Sequence, residues 1–386
     1  MRLNSVAIIQ NKIIKGGRLA VLVQIIKILN EMDIIPDIYS LSMTLNSDDI
    51  SKHYGEQIRF NYIPVKFNIK VPNRWSILYF NKRISLMNLD YDLVINNSNG
   101  SRFLPMDLPF MHFIHYPQKD RVLYEKSSIH FPDDTRLKLL TREGFYDAFV
   151  RRFYKYENMN REKEIIIANS EFTKLAILRR FDVKDVKINI IYPPIKVPNR
   201  KPDIKHKDFK SVVSTGRFSA MKRQIEQIEI GSKLLDYTFN IIGFKEEGSK
   251  YFEQCQNLID KKNIKNVKLY PNISHEKKID LLNLSGLFIH STRNEPFGIT
   301  SAEAIANGCI PIVHNSGGQK EIVTFDSLRY DSNENCIELM ENLLRKDLAY
   351  FEDLFDVLFH NISKFNEETF RNDMQTVLEK VKLRSI

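Results

Sequence analysis

Cysteine is scarce in this 386-residue chain, and long apolar runs are absent. The three cysteines, Cys255, Cys309 and Cys336, are far apart and form no CxxC pair, which excludes a disulfide scaffold and gives no zinc pattern. No apolar run approaches the roughly 18 residues that a spanning helix needs, and no charged, apolar and small-residue leader precedes the first strand-like run. We therefore expect a cytoplasmic protein that is neither integral to a membrane nor exported.

Positive charge is abundant but unevenly distributed. Residues 1–195 carry 29 Lys and Arg against 21 Asp and Glu, a net of +8, so that only +1 of the total of +9 remains for residues 196–386. This asymmetry indicates that the first half meets something anionic, either nucleic acid, a phosphate-bearing substrate or a lipid surface. The length itself predicts two or three domains rather than one.

Apolar runs alternate with helix-length segments in both halves, which predicts two α/β domains. Strands are predicted at residues 6–10, 37–41, 58–65, 92–96, 110–115, 164–169, 187–192, 212–215, 239–243, 267–270, 287–290 and 309–313. Because their Val and Ile residues show no polar alternation, we expect parallel sheets buried on both faces. After Gly16-Gly17, apolar residues at helical spacing between Leu19 and Leu29 predict an amphipathic helix.

Four prolines interrupt the chain between the two halves, at residues 193, 194, 198 and 202. They favour extended backbone, so we predict domains over 1–194 and 211–365, a linker over 195–210 and a returning C-terminal helix over 366–386. Ligands of such open sheets bind at the carboxyl ends of the strands.

The segment 291–321 is the richest in candidate site residues. Glu295 follows the strand at 287–290, so it lies in a loop at that strand's carboxyl end. Thr300 is predicted to open a helix, and Glu303 then has the spacing of a capping box. A carboxylate that accepts hydrogen bonds from ribose hydroxyls is the functional interpretation of Glu303. Gly317-Gly318 predicts a second loop at which a ligand approaches backbone donors.

Two cations follow the first strand of the second half. Arg217 and Lys222 are five residues apart, at a predicted turn before a helix. Cations at a helix start can neutralise a diphosphate and the charge that develops as a sugar leaves it. Isolated surface cations are the alternative interpretation.

Together these segments resemble the family 4 retaining glycosyltransferases, whose signature is two glutamates separated by seven residues. The resemblance implies the α/β GT-B fold, with two Rossmann-like doubly wound domains facing a cleft, and no need for a metal or a cofactor. It implies that Glu295 contacts the sugar of a nucleotide-sugar donor, that Glu303 binds its ribose, and that Arg217 and Lys222 stabilise the leaving diphosphate. It also implies a donor-binding backbone at Gly216, Phe297, Gly298 and Ile299.

The first half matches the same family less tightly. Gly16-Gly17 resembles the glycine loop beneath the donor phosphates, although Arg18-Leu19 stand where family members usually have Ala-Glu. The segment ending in His115 resembles the stretch in which family members have a histidine near the donor sugar. We therefore assign that role to His115 rather than to His112, and the alternative is a packed core histidine.

The HYP motif at 115–117 and the NSEFT motif at 169–173 resemble cytoplasmic mannosyltransferases that extend dolichol-linked oligosaccharides. This resemblance implies a GDP-mannose or UDP-hexose donor and a lipid-linked glycan acceptor. The first domain would then serve the acceptor and the second the nucleotide-sugar, in a cytoplasmic enzyme whose attachment to the membrane surface stays open.

Two other motifs suggest different chemistry. Asp90-Tyr91-Asp92 is a DxD, which binds metal in the other large transferase fold, but here it leads directly into an apolar run and predicts a strand entry. Residues 145–156 interleave six aromatic residues with three cations, which fits single-stranded nucleic acid, a membrane interface or a half-buried helix. The alternative function is a basic nucleic-acid-binding α/β protein without transferase activity. An oxidoreductase is disfavoured because no GxGxxG follows any predicted strand.

Overall fold

The protein divides into two units of similar size. The first unit consists of Met1–Pro194 together with Glu367–Ile386, and the second of Ile195–Asn366. Within them, the computed structural model describes residues 3–14, 16–45, 47–54, 57–66, 73–98, 108–116, 164–181 and 188–384.

The first unit contains a seven-stranded sheet in the order β5-β3-β1-β6-β7-β8-β9, whose paired strands are all parallel. Strands β2 and β4 form a separate pair. All seven strands predicted for this half are confirmed. The strands are β1 (Val6–Ile9), β2 (Lys12–Ile13), β3 (Asp37–Ser40), β4 (Ser42–Met43), β5 (Asn61–Pro64), β6 (Leu93–Asn96), β7 (Phe110–Ile114), β8 (Glu164–Ala168) and β9 (Ile188–Ile190).

Every residue of β1, β6 and β7 is buried, as expected for a parallel sheet that is covered on both faces. The described helices before the second unit are α1 (Gly17–Glu31), α2 (Ser47–Tyr54), α3 (Asn73–Ser85) and α4 (Glu171–Phe181).

Helix α1 is buried around its whole circumference between Leu19 and Leu29, so the predicted amphipathic pattern is wrong. The reason is the last helix of the chain, Glu367–Arg384, which adds Phe370 and Met374 to the core cluster that contains α1. A helix that is apolar on all sides requires such a second cover.

The second unit contains a six-stranded parallel sheet in the order β12-β11-β10-β13-β14-β15. The five strands predicted for this half are confirmed, and the two-residue β15 was not predicted. The strands are β10 (Asp208–Thr215), β11 (Thr238–Gly243), β12 (Val267–Pro271), β13 (Ser285–His290), β14 (Ile310–His314) and β15 (Arg329–Tyr330).

Helices of this unit alternate with the strands and then follow one another. They are α5 (Gln224–Lys233), α6 (Lys250–Lys262), α7 (His275–Leu284), α8 (Ile299–Ala306), α9 (Asn333–Leu343) and α10 (Leu348–Ile362), and the last helix of the chain, Glu367–Arg384, is α11.

The stretch 195–210, predicted as a linker, is grouped with the second unit. The Ile195 N–H donates to the Phe365 carbonyl at 2.8 Å. The Lys207 ammonium donates to the carbonyls of Leu282 and Asn307, at 2.7 and 2.5 Å, so it satisfies two carbonyls at helix C-terminal ends. Prolines keep this stretch extended, but its side chains pack on the unit that follows.

Among the described residues, no helix combines the length and apolar character needed to span a bilayer. Residues 145–156, with their aromatic residues and cations, lie outside the described part of the chain.

Candidate active site

A lysine and a glutamate from two different loops meet at the carboxyl edge of the second sheet. Lys222 ends a short 3-10 turn after β10, and Glu295 lies in the loop after β13. The Lys222 ammonium donates to Glu295 Oε2 at 2.8 Å. The side chains are 27% and 19% exposed, respectively, so this is a partly desolvated ion pair rather than a surface contact. The two residues that the sequence assigned to the diphosphate and the sugar are therefore in direct contact.

The Glu295 carboxylate is ionised despite its burial. Burial alone would raise its pKa, but the charge of Lys222, the neighbouring His290 and the hydrogen bond from Lys222 together hold the pKa below its usual value. An ionised carboxylate beside an ammonium can accept hydrogen bonds from a hydroxyl, while the ammonium remains available to an anion.

Behind Glu295 lies a buried histidine that the sequence interpretation missed. His290 Nε2 is 3.9 Å from Glu295 Oε2, and His290 Nδ1 is 2.5 Å from Gln319 Oε1. Burial and the positive charge of Lys222 lower the pKa of His290 to about 4, against smaller opposing effects of Glu295 and Gln319. The imidazole is therefore neutral at physiological pH.

Glu303 lies on α8 and forms an ion pair with Lys278 of α7. The Lys278 ammonium donates to Glu303 Oε2 at 3.4 Å, and the Glu303 side chain is 41% exposed. The predicted capping box is wrong, because Gly298 rather than Thr300 precedes the helix and no side chain caps it. Glu303 therefore does not cap the helix, and its carboxylate can contact Lys278 and a ligand.

The loop before α8 can contribute backbone N–H groups, rather than side chains, to a binding site. The Phe297 ring is buried and stacks edge-on against Phe365. Gly298 has a φ of 103°, a conformation that L-residues rarely adopt. Ile299 is the first helical residue, and the first N–H groups of a helix have no intrahelical acceptor. This loop can therefore present N–H groups to an anion.

The paired glycines Gly317 and Gly318 pack closely against the loop that carries Glu295. A Cβ on Gly317 would lie 2.4 Å from the Glu295 carbonyl oxygen, and a Cβ on Gly318 would lie 2.1 Å from the Pro296 carbonyl oxygen. The Gly318 N–H donates to the Glu295 carbonyl at 2.8 Å. These glycines therefore allow the chain's own Glu295 loop to approach closely.

Arg217 does not join the Lys222–Glu295 pair. Its guanidinium lies 3.8 Å from Glu246, and both side chains are more than half exposed. The neighbouring Gly216 donates its N–H to the Ile242 carbonyl, and a Cβ there would make only ordinary contacts with the Lys222 stem. Arg217 is thus a solvated cation on the loop that carries Lys222.

In the first unit, His115 lies just beyond the carboxyl end of β7 and is buried. Its Nε2 is 2.8 Å from Asn97 Oδ1. The Asn97 amide nitrogen donates to Gln10 Oε1 and to the Arg18 carbonyl, which fixes Asn97 Oδ1 as an acceptor and His115 Nε2 as the donor. Burial, followed by the charge of Arg18, lowers the pKa of His115 to about 3. His115 is therefore a neutral imidazole whose Nδ1 is an acceptor.

The glycine loop lies beside this network. Gly16 has a φ of 140° and precedes α1 without a side-chain cap, and Gly17 begins the helix. Arg18 donates to Asn11 Oδ1 at 3.1 Å. Because Asn97 contacts both the Arg18 carbonyl and His115, the loop and the histidine form one hydrogen-bonded unit. The competing residue, His112, instead lies near Asn96 and Glu164.

The DxD motif is at the opposite edge of the first sheet. Asp92 immediately precedes β6, and its Oδ2 accepts the N–H groups of Asn4 and Ser5 at 2.8 and 3.0 Å. The Asn4 hydrogen bond is the main cause that lowers the pKa of Asp92. Asp92 thus pins the start of two adjacent strands, as the strand-entry interpretation predicts. Within the described residues, no group of three His, Cys, Asp or Glu side chains could hold a metal ion.

Sequence reasoning missed four polar residues of these sites: His290, Gln319, Lys278 and Asn97. His290 ends a predicted strand, Asn97 directly follows one and Lys278 lies in a helix-length segment, where a polar residue has no distinct pattern. Gln319 was the easiest of the four to predict from the sequence, because it follows the paired glycines directly.

Comparison with known proteins finds similar sequences among the glycosyltransferases. Residues 197–346 match the family described as "Glycosyl transferases group 1". The GDP-Man:Man(3)GlcNAc(2)-PP-Dol alpha-1,2-mannosyltransferase of Dictyostelium discoideum is 24% identical over 295 residues, which are 67% of this chain and 57% of that protein. The corresponding mouse enzyme is 25% identical over 240 residues, 56% of this chain and 49% of its own length. The chain thus spans about half the length of these curated relatives.

Solved structures share the fold over nearly the full chain. A crystal structure of Anabaena Alr3699/HepE in complex with UDP and glucose has a TM-score of 0.69 at 14% identity, and the match covers 98% of this chain and 100% of that one. A glycosyltransferase from Rickettsia africae has a TM-score of 0.67 at 16% identity, with 98% of both chains covered. These matches confirm the predicted GT-B fold.

Proposed function

We propose that the chain is a retaining hexosyltransferase of the group 1 glycosyltransferases, the family whose model matches residues 197–346. It would move a hexose from a nucleotide-sugar, GDP-mannose or a UDP-hexose, to a hydroxyl of a lipid-linked glycan. The name of the Dictyostelium relative supports GDP-mannose and a dolichol-linked acceptor, and the UDP bound by the Anabaena protein supports the UDP alternative.

The contact between Lys222 and Glu295 is the observation that carries this proposal. Departure of a sugar from a nucleotide leaves negative charge on the diphosphate and positive charge on the sugar ring. An ammonium and a carboxylate 2.8 Å apart have the signs that these two charges require. Lys222 would stabilise the diphosphate, assisted by the solvated Arg217, and Glu295 would hold the sugar hydroxyls.

Glu303 is eight residues further along and would bind the ribose. Its half-exposed carboxylate can accept from two vicinal hydroxyls, as a ribose offers them. The loop Phe297–Gly298–Ile299 would supply N–H groups to the phosphates, and Gly216 would leave space for them. No cofactor other than the donor and no metal ion would be required, because cations of the chain itself supply the positive charge.

The first unit, which we propose serves the acceptor, contains His115. Its neutral imidazole donates from Nε2 to Asn97 and presents Nδ1 as an acceptor, so it can receive a sugar hydroxyl without adding charge. The net charge of +8 in residues 1–195 suits an acceptor that carries phosphate, and a cytoplasmic setting fits a soluble nucleotide-sugar donor.

A panel of nucleotide-sugars tests the proposal. We expect one GDP- or UDP-hexose to raise the melting temperature and to be hydrolysed slowly in the absence of acceptor. Glu295→Gln should abolish hydrolysis, whereas the matched substitution of the exposed Glu276 on α7 should leave it unchanged.

The nucleic-acid alternative makes the opposite prediction. A protein of that kind would be retained on an RNA column at physiological salt and would hydrolyse none of the nucleotide-sugars. That pair of results would refute the transferase proposal.

A further inference from the structure

His290 and Gln319 form a buried pair behind Glu295 to which none of the site roles above is assigned. His290 is the last residue of β13, and Gln319 is on the 3-10 turn after the paired glycines. Both side chains are almost completely buried. Burying a polar group at this depth costs free energy unless the group is hydrogen-bonded.

The orientation of the Gln319 amide is fixed by its neighbours. Its nitrogen donates to the carbonyls of Thr292 and His314, at 3.2 and 2.7 Å. Carbonyls accept only, so the other amide atom facing His290 must be the oxygen. A neutral His290 therefore carries its proton on Nδ1, where it donates to Gln319 Oε1 at 2.5 Å.

This tautomer leaves His290 Nε2 as a bare acceptor. Nε2 is buried and has no hydrogen-bond partner among the described residues, and the nearest ionised oxygen is Glu295 Oε2 at 3.9 Å. Two acceptors that face each other gain nothing. A proton on Nε2 would turn the contact into a charge-assisted hydrogen bond.

Burial is the main cause that keeps this proton off Nε2, and the charge of Lys222 is the second. The Lys222 ammonium already holds the same oxygen, Glu295 Oε2, at 2.8 Å, and its positive charge opposes a second cation at His290. Lys222 and Glu295 are the charged groups that act on this imidazole, and Gln319 is its polar partner.

We propose that His290, oriented by Gln319, is a positioning residue that replaces Lys222 as the partner of Glu295. When Lys222 turns to an anionic diphosphate, Nε2 takes one proton from solvent and donates it in a hydrogen bond to the Glu295 carboxylate. The carboxylate then stays ionised and oriented towards the sugar. The displacement of Lys222 by a diphosphate rests on the proposed function, but the exchange of partners at Glu295 does not.

¹⁵N NMR of the histidine side chains tests this exchange of partners at Glu295 without any substrate. In the ¹⁵N-histidine-labelled wild-type protein at pH 7, assigned by comparison with His290→Asn, His290 should be the neutral tautomer with its proton on Nδ1. In Lys222→Met, the pKa of His290 should be at least about one unit higher than in the wild type, because a nearby like charge has been removed. Lys278→Met, which breaks the ion pair with Glu303, should leave the His290 titration unchanged.

A neutral His290 with its proton on Nε2 in the wild type, or a Lys222→Met titration identical to that of the wild type, would overturn the inference. If Lys222→Met does not fold, inorganic diphosphate added to the wild-type protein replaces it, and protonation of His290 on saturation is then required. Failure of the transferase proposal would appear elsewhere, as no hydrolysis of any nucleotide-sugar.

Kinetics separates positioning from a merely structural role. His290→Asn keeps an N–H for Gln319 but has no group at the position of Nε2. We expect it to lower kcat on the order of tenfold to a hundredfold with little change in KM, since a misoriented group acts on the transition state. His290→Gln, which can reach the carboxylate with an N–H, should recover part of this loss. An unchanged kcat in His290→Asn would contradict the role.

Discussion

The Lys222 ammonium lies 2.8 Å from Glu295 Oε2, although the two residues are 73 positions apart in the sequence. The ion pair joins the loop after β10 to the loop after β13, and these are adjacent parallel strands. Because parallel strands end at the same edge of a sheet, the fold itself brings the cation and the carboxylate together.

We predict that the two glutamates of this unit affect different kinetic constants. Glu295→Gln should lower kcat by about 100-fold or more, since its charge matters most as the sugar becomes positive. Glu303→Gln should raise KM for the donor by about tenfold with kcat nearly unchanged, as expected when ground-state binding is lost. Steady-state kinetics with the donor found in the panel measures both, with Glu276→Gln as control. A Glu295→Gln enzyme with normal turnover would contradict the assignment.

The sheets could be predicted from sequence because buried parallel strands are nearly continuous runs of Val and Ile, as in β1 and β6. The spacing of seven residues between two glutamates selected Glu295 and Glu303 as candidate site residues. The burial of α1 on all sides could not be predicted, since it depends on contacts with α11, more than 300 residues away in sequence. The role of Gly317 and Gly318 was missed for the same reason, because it depends on how closely one loop approaches another.

The two proposed phosphate-site cations should differ in their effect on stability. Lys222→Met leaves the partly buried Glu295 carboxylate without its counterion, and we expect it to lower the free energy of unfolding by about 1–3 kcal/mol. Arg217→Met removes only an exposed pair and should change it by less than about 0.5 kcal/mol. Urea denaturation measures both. The double variant Lys222→Met/Glu295→Gln should regain much of the loss, and a loss as large as that of Lys222→Met alone would refute the coupling.

Gly317 should tolerate substitution much less than Gly248. Both glycines have positive φ, 78° and 64°, but a Cβ on Gly248 meets nothing within 4 Å. Gly248→Ala should therefore cost only the conformational strain, about 1–2 kcal/mol. Gly317→Ala should cost more and should also lower kcat, since the new Cβ displaces the backbone that carries Glu295. Equal melting temperatures for the two variants would show that the loop-on-loop contact is unimportant.

Asp92 should prove structural rather than metal-binding. Because its carboxylate accepts two backbone N–H groups, Asp92→Asn should lower the free energy of unfolding by about 1–2 kcal/mol at pH 7. The pKa of Asp92 is depressed in the folded state, so this stabilisation is present above the usual carboxyl pKa and is lost as pH falls through the folded value. The difference between wild type and Asp92→Asn should therefore shrink between pH 7 and pH 3. Transferase activity should survive excess chelator. Activity that is lost with chelator and restored by manganese would contradict the structural role of Asp92.

The last prediction is that the protein binds anionic membrane surfaces and so meets a lipid-linked acceptor. The net charge of +8 in residues 1–195 and the three cations of residues 145–156 motivate it. Each cation near an anionic bilayer contributes about 1 kcal/mol, so three to five suffice for reversible attachment. Co-sedimentation should be strong with vesicles containing phosphatidylserine, weak with neutral vesicles and reduced by salt, since screening acts over about 8 Å at physiological ionic strength. The variant Arg151→Glu/Arg152→Glu should bind less, whereas the same reversal at Lys261 and Lys262 on α6 should not matter. Equal recovery with both kinds of vesicle would refute membrane binding and leave the transferase proposal unaffected.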